Sequence, residues 1–243
     1  MQVMRAEGLA VSYGARRVFA GLDLTISTGR LVALVGPNGG GKSSLLRVLA
    51  GTQRPSAGRV IRSGSVALIA PSGDPPGDLT PFDLAGYGLA ARKKFWQWWL
   101  RHDEQQRIRE ALDRCNLADR ADDPVATLSA GEVQRAWIAA ALATAPDILL
   151  VDEPTSHLDL RYQVEMLQML AALARIRVSV VAAIHDLTLA ARFADDMALI
   201  ANGRLQTGPP DEILEPGALS AAFGTPVSTH RHPTGGYLIC LPQ

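Results

Sequence analysis

A chain of 243 residues with 24 basic and 24 acidic side chains has no net charge, which argues against nonspecific nucleic-acid binding by the whole domain and leaves room only for a local basic patch. The length suits one large domain, or a domain with an inserted lobe, and is ample for burying a core. The longest apolar runs, "AWIAAALA" at 136–143 and "VVAAI" at 180–184, fall short of the ~20 residues a membrane-spanning helix requires. The opening "MQVMRAEGLAVSYG" has no signal-peptide core, so the chain is expected to stay in the cytosol. Cys115 and Cys240 are isolated, without C-x-x-C spacing, and read as reduced thiols in packed or partly buried places.

In chain order, "VMRAEGLAVSYG" and "FAGLDLTIS" predict antiparallel strands at one edge within residues 1–30. Short apolar runs at 31–35, 65–70, 148–151, 178–184 and 197–200 predict buried strands of an α/β core. From about Pro81 to Thr144 the strand signals stop and the pattern turns helical, with Ile108, Leu112 and Cys115 on one face of a predicted helix. The division that follows is one domain: 1–80 and 145–243 form the core with its β edge, and 81–144 form a helical lobe. No internal repeat or low-complexity tract interrupts it.

The first chemical signal is "GPNGGGKSS", where an apolar strand runs into Gly36, Pro37, Asn38, Gly39, Gly40, Gly41, Lys42, Ser43 and Ser44. The spacing matches G-x-x-x-x-G-K-[ST] in a strand–loop–helix setting. Glycines let the backbone curl so that successive N–H groups face phosphate oxygens, and the following helix turns its positive end to the same anion. Lys42 is expected to reach the outer phosphates and Ser43 to hold Mg²⁺. Of 24 basic residues only Lys42, Lys93 and Lys94 are lysines. An arginine-rich chain thus keeps a compact ammonium where a phosphate loop uses one.

The strand at 148–151 ends in Asp152 and Glu153, at the end of a sheet where α/β proteins place ligands. Asp152 is predicted to hold Mg²⁺ through water as the partner of Ser43. Neighbouring side chains cannot point the same way, so Glu153 is the candidate general base for the attacking water. His185 closes the next apolar run and is placed to hydrogen-bond the γ-phosphate and that water. Ser129, Ala130, Gly131 and Glu132, within "LSAGEVQR", open a second helical pattern with Ser129 as its cap. A second helix end suited to anions, in a chain whose phosphate loop is already complete, points to a nucleotide held by another copy of the chain.

The order "GPNGGGKS", "LSAGEVQR", "ILLVDEP", "SHLD" and "AAIHDL" resembles the nucleotide-binding subunit of an ATP-binding cassette (ABC) transporter over nearly the whole chain. The resemblance implies a RecA-like P-loop NTPase core with an antiparallel β edge subdomain and an inserted helical subdomain bearing the signature. It implies ATP and Mg²⁺ as ligands, and a head-to-tail dimer in which each nucleotide lies between one phosphate loop and the partner's signature. Tyr13 then takes the position that stacks on adenine, and Asp159 falls in the loop linking the two sites. Ala130 stands where glycine is common and Glu132 where glutamine is common. The family's glutamine after the strand at 65–70 is missing: its position falls on Pro71, which has no side-chain donor or acceptor, and Ser72 or Asp74 is the candidate replacement.

Longer segments, among them "HDLTLAARFADDMALIANGRL", are similar to the ATPases of importers of ferric siderophores, haem and cobalamin. That likeness implies an ATP-hydrolysing motor on the cytoplasmic side of the plasma membrane, joined to permease subunits and, through them, to a substrate-binding protein, with no nucleic-acid partner. The alternatives are a molybdate-type importer ATPase and a soluble cassette ATPase not coupled to transport. A phosphate-loop kinase would leave "LSAGEVQR" without a role. The stretch "ARKKFWQWWLRH" at 91–102 is expected to pack within the helical lobe or against a permease. His230 and His232, two apart with no third ligand nearby, read as a solvated tail and not a metal site.

Overall fold

The computed structural model describes residues 1–70, 78–90 and 100–243. The Pro71, Ser72 and Asp74 positions, and the tryptophan-rich stretch 91–99, lie outside the described residues. The elements run in the order β1 (Gln2–Tyr13), β2 (Arg16–Ser27), β3 (Leu31–Val35), α1 (Lys42–Ala50), β4 (Ala57–Arg62), β5 (Val66–Ile69), α2 (Pro81–Ala90) and α3 (His102–Arg114). After two 3-10 turns follow α4 (Ala130–Ala143), β6 (Ile148–Val151), α5 (Leu160–Arg175), β7 (Ser179–Ala183), α6 (Leu187–Phe193), β8 (Asp196–Ala201) and β9 (Arg204–Gly208). The chain closes with α7 (Pro210–Ile213), α8 (Pro216–Phe223), β10 (Val227–Arg231) and β11 (Leu238–Pro242).

The central sheet has the order β5-β6-β7-β3-β8-β9, parallel except for β9, which pairs antiparallel with β8. Strands buried on both faces read as unbroken apolar runs, and every residue of β3, β6 and β7 is buried. Their alternation divides the core in two. Leu31, Ala33, Val35, Leu149, Val151, Val180 and Ala182 face one cluster with α4, α5 and α6. Val32, Leu34, Ile148, Leu150, Val181 and Ala183 face the other, with Leu45, Leu46 and Leu49 of α1.

The N-terminal strands do not extend the edge of the central sheet. They form a separate antiparallel sheet, β2-β1-β4, whose inner residues Met4, Leu9, Phe19, Leu24 and Ile26 close the α1 side of the core. β1 and β2 alternate buried and exposed positions along much of their length, a half-buried pattern that needs a core on one face only. The antiparallel edge of the central sheet is supplied instead by β9, late in the chain.

In the helical segment Ile108, Leu112 and Cys115 are each fully buried, as the periodicity predicts. Burial pushes the Cys115 thiol up to about 12. The tail departs from expectation. His230 and His232 belong to a paired hairpin, with β10 antiparallel to β11 and the His232 ring stacked on Tyr237 at 4.7 Å between centroids.

Candidate functional site

In the parallel sheet β6, β7 and β3 are neighbours, so the residues that follow them meet at one end. The phosphate loop leaves β3, Asp152 and Glu153 leave β6, and His185 follows β7 after Ile184. The register carries a step past the strands, with Asp152 N–H donating to Ile69 at 2.8 Å and Ile184 N–H to Leu34 at 3.0 Å. This is the carboxyl end of the strands, where open α/β sheets bind ligands.

The loop takes its shape from glycine. Gly36 has φ 146°, and a Cβ there would lie 2.1 Å from the Ile200 carbonyl oxygen on β8. Gly41, the residue before α1, has φ 103° and would meet Val18 at 2.8 Å. Lys42, 5% exposed, folds back so that Nζ donates to the Gly36 and Pro37 carbonyls at 2.8 and 3.1 Å. Burial lowers its pKa, opposed by the nearby charges of Glu153 and Asp152. The loop and its surroundings line a cavity of about 650 Å³, bordered by Tyr13, Asn38, Gly39, Gly41, Lys42, Ser43, Ser44, Glu153 and His185.

The two adjacent acids sit in different surroundings. Asp152 is 3% exposed. Burial raises its pKa, against a hydrogen bond to the Ser43 side chain and the charges of Arg47 and Lys42. Its Oδ1 is buried with no hydrogen-bond partner. A buried carboxylate oxygen left unpaired is costly unless a cation or water completes it, so the Ser43–Asp152 pair fits a hard divalent cation with oxygen ligands.

Glu153 turns away from Asp152 through a left-handed backbone, φ 54°. Its Oε1 lies 2.9 Å from His185 Nε2, and its Oε2 accepts from the Ser156 hydroxyl at 2.9 Å. Burial works to raise the Glu153 pKa, but the hydrogen bonds from His185 and Ser156 outweigh it and hold the carboxyl below its usual value. An ionised carboxylate bonded to an imidazole at the edge of the cavity that the phosphate loop lines is equipped to orient a water and accept its proton.

Tyr13 borders the cavity with about half its surface exposed. Its hydroxyl is tied to Ser44 Oγ at 3.1 Å and donates to Gln53 at 2.9 Å, which fixes the ring beside the start of α1. The Ser44 hydrogen bond also lowers its pKa. Arg16 and Val18 line the same cavity, and the sequence reading missed both, together with Ser156. Ser156 carried a usable signal, standing three residues after Glu153 in "EPTS". Arg16 and Val18 carried none, because β2 reaches the loop only through tertiary packing.

The signature residues lie apart from this cavity, for none of Ser129, Ala130, Gly131 or Glu132 lines it. Ser129 caps α4 in a reciprocal box: its hydroxyl accepts from Glu132 N–H at 3.3 Å, and Glu132 Oε2 accepts from Ser129 N–H at 2.8 Å. Glu132 Oε1 pairs with Arg120 at 3.2 Å. The Ser129 backbone hydrogen bond lowers the Glu132 pKa, aided by the Ser129 hydroxyl and Arg120. Gly131 faces Tyr162 of α5 across 3.7 Å from where a Cβ would stand. Asp159 is exposed just before α5, next to the exposed Leu160.

A glycine-shaped phosphate loop, an acidic pair and a histidine at the ends of three adjacent strands define a P-loop nucleotide hydrolase. Residues 19–156 match the ABC transporter family. The chain is 37% identical to the hemin import ATP-binding protein HmuV of Streptomyces coelicolor, covering 98% of this chain and 89% of that one. It is 32% identical to the ferric enterobactin transport ATP-binding protein FepC of Escherichia coli, covering 98% and 93%. Among solved structures, a chain of an inward-facing ABC transporter assigned to the metal-chelate type superposes with a TM-score of 0.91 at 27% identity, covering 100% of this chain and 98% of that one. The chain belongs to the ABC transporter family, as an ATP-binding subunit that hydrolyses ATP. No helix among the described residues is long and apolar enough to cross a membrane.

Proposed function

We propose that this chain is the motor of an importer of iron chelates, of the ferric siderophore or haem class, and that its site residues act as follows. The phosphate loop from Gly36 to Ser44 cradles the triphosphate, with Lys42 leaving the Gly36 and Pro37 carbonyls for the outer phosphates. Tyr13 offers its ring to adenine, a contact worth about 1–3 kcal/mol for base stacking. Ser43 and Asp152 would hold Mg²⁺, which when bound screens the charge of the β- and γ-phosphates. Glu153 orients the attacking water and takes its proton, and His185 fixes Glu153 and reaches the γ-phosphate.

The observation that carries this reading is the 2.9 Å contact between Glu153 and His185 on the rim of the phosphate-loop cavity. Ser129, Ala130, Gly131 and Glu132 stand apart from that cavity, which favours their use on the nucleotide of a second copy in a head-to-tail dimer, with Asp159 between the two sites. The chain would then lie on the cytoplasmic side of the membrane against permease subunits, and a substrate-binding protein would deliver the chelate from the other side. The iron-chelate assignment rests on the similarity to HmuV and FepC over almost the full chain. The test is reconstitution with its permease in proteoliposomes. ATP-dependent uptake of a ferric siderophore or haem, lost in Glu153→Gln, supports the reading. Uptake of molybdate, or ATP hydrolysis indifferent to any permease, would overturn it.

A further inference from the structure

We infer that the C-terminal hairpin β10–β11 positions the catalytic histidine, and that Thr188 is the residue through which it acts. This inference rests on the reading of His185 as part of the hydrolytic machinery.

His185 is followed at once by the start of α6. Asp186 caps that helix, its carboxylate accepting from Leu189 N–H at 2.9 Å. Two residues further on, Thr188 Oγ1 accepts from the backbone N–H of Cys240 at 3.1 Å. β11 is thus bonded to the first turn of α6, three residues from the imidazole that contacts Glu153. The hairpin is fastened at other points as well. The Arg192 guanidinium of α6 lies over the Tyr237 ring at 5.7 Å, and Arg231 pairs with Asp211 of α7 at 2.8 Å.

Between the hairpin and α6 lies a second cavity of about 300 Å³, lined by Leu187, Thr188, Phe223, Val227 and Cys240 among others. Leu187 and Cys240 border this space and also pack against the core, but apolar contact of that kind has no direction. The hydrogen bond from Cys240 adds the direction, fixing the first turn of α6 and with it the backbone that presents His185. A strand added at the end of the chain so governs how well the Glu153–His185 pair is aligned.

The test is steady-state ATP hydrolysis by the full chain carrying Thr188→Val, Thr188→Ser, His185→Ala, or Thr188→Val with His185→Ala. Valine keeps the shape and removes the acceptor, whereas serine keeps the acceptor. Loss of one hydrogen bond's worth of alignment should lower kcat about three- to tenfold in Thr188→Val, with KM for ATP unchanged and activity restored in Thr188→Ser. In the His185→Ala background Thr188→Val should cost nothing further, because residues acting as a unit are not additive. Unchanged kcat in Thr188→Val, or an equal loss in the absence of the imidazole, overturns the positioning role alone. If His185→Ala itself retains full turnover, the reading of His185 falls, and this inference with it.

Discussion

Glu153 occupies a left-handed backbone conformation, φ 54°, that a residue with a side chain adopts at a cost of about 1–3 kcal/mol. The return on that strain is direction: Asp152 stays in the buried floor with Ser43, while Glu153 swings to His185 and Ser156. Gly36 shows the opposite solution, a position where only the smallest residue fits. Gly36→Ala places a methyl 2.1 Å from the Ile200 carbonyl, and a φ of 146° is itself closed to alanine. The variant should lose at least tenfold in ATP affinity and more than about 1 kcal/mol of stability, measured by nucleotide titration and thermal unfolding. Glu132 supplies a pH-dependent term. Its folded pKa is depressed, so its contribution is present above the unfolded value of about 4.3 and is lost as pH falls through the folded one. Wild type should be more stable than Glu132→Gln at neutral pH, and the gap should close on acidification below about pH 4 in urea unfolding curves.

At the scale of elements, β3, β6 and β7 form the stiff floor from which the site is hung, and their residues are among the least exposed in the molecule. Leu149→Ala in β6 removes a fully buried side chain from the face packed on α4 and α5. It should cost about 2–5 kcal/mol, read from denaturant midpoints. The α4 cap is a smaller term, and Ser129→Ala should cost about 1 kcal/mol. These elements were legible in advance because their signals are local: apolar runs for buried strands, Gly36 to Ser43 for the loop, Ser129 for the cap. The resemblance implied an antiparallel β subdomain, but that β4 joins β1 and β2 in it was not legible, since half-buried alternation shows that a strand has a wet face without showing which strand it pairs with. The β10–β11 hairpin escaped because "HRHPTGGY" looks polar and turn-like until His232 meets Tyr237. The Glu153–His185 contact could be expected as a shared sheet end, but its 2.9 Å geometry depends on the backbone turn at Glu153, which no residue pattern announces.

Over the whole molecule, the helical lobe and the core share one apolar cluster, with Leu84, Ile108 and Leu112 of the lobe joined to β5, β6 and α5. A polar tie accompanies it: Arg135 of α4, 13% exposed, reaches Glu165 of α5 at 3.5 Å, and its Nε is buried without a partner. Arg135 thus ties the helix capped by Ser129, proposed to serve a second copy's nucleotide, to the helix that follows Asp159, proposed to lie between the two sites. Ser129 does not line the phosphate-loop cavity among the described residues, and the proposed motor therefore calls for a pair of chains. The most direct measurement is ATP turnover by wild type and Glu153→Gln, with the mass of each in ATP followed by light scattering. Turnover should fall at least about 10²-fold in Glu153→Gln, with ATP still bound and the chain held as a dimer. A Glu153→Gln variant that hydrolyses ATP at the wild-type rate would contradict the role of Glu153, and one that binds ATP and remains a monomer would contradict the shared site.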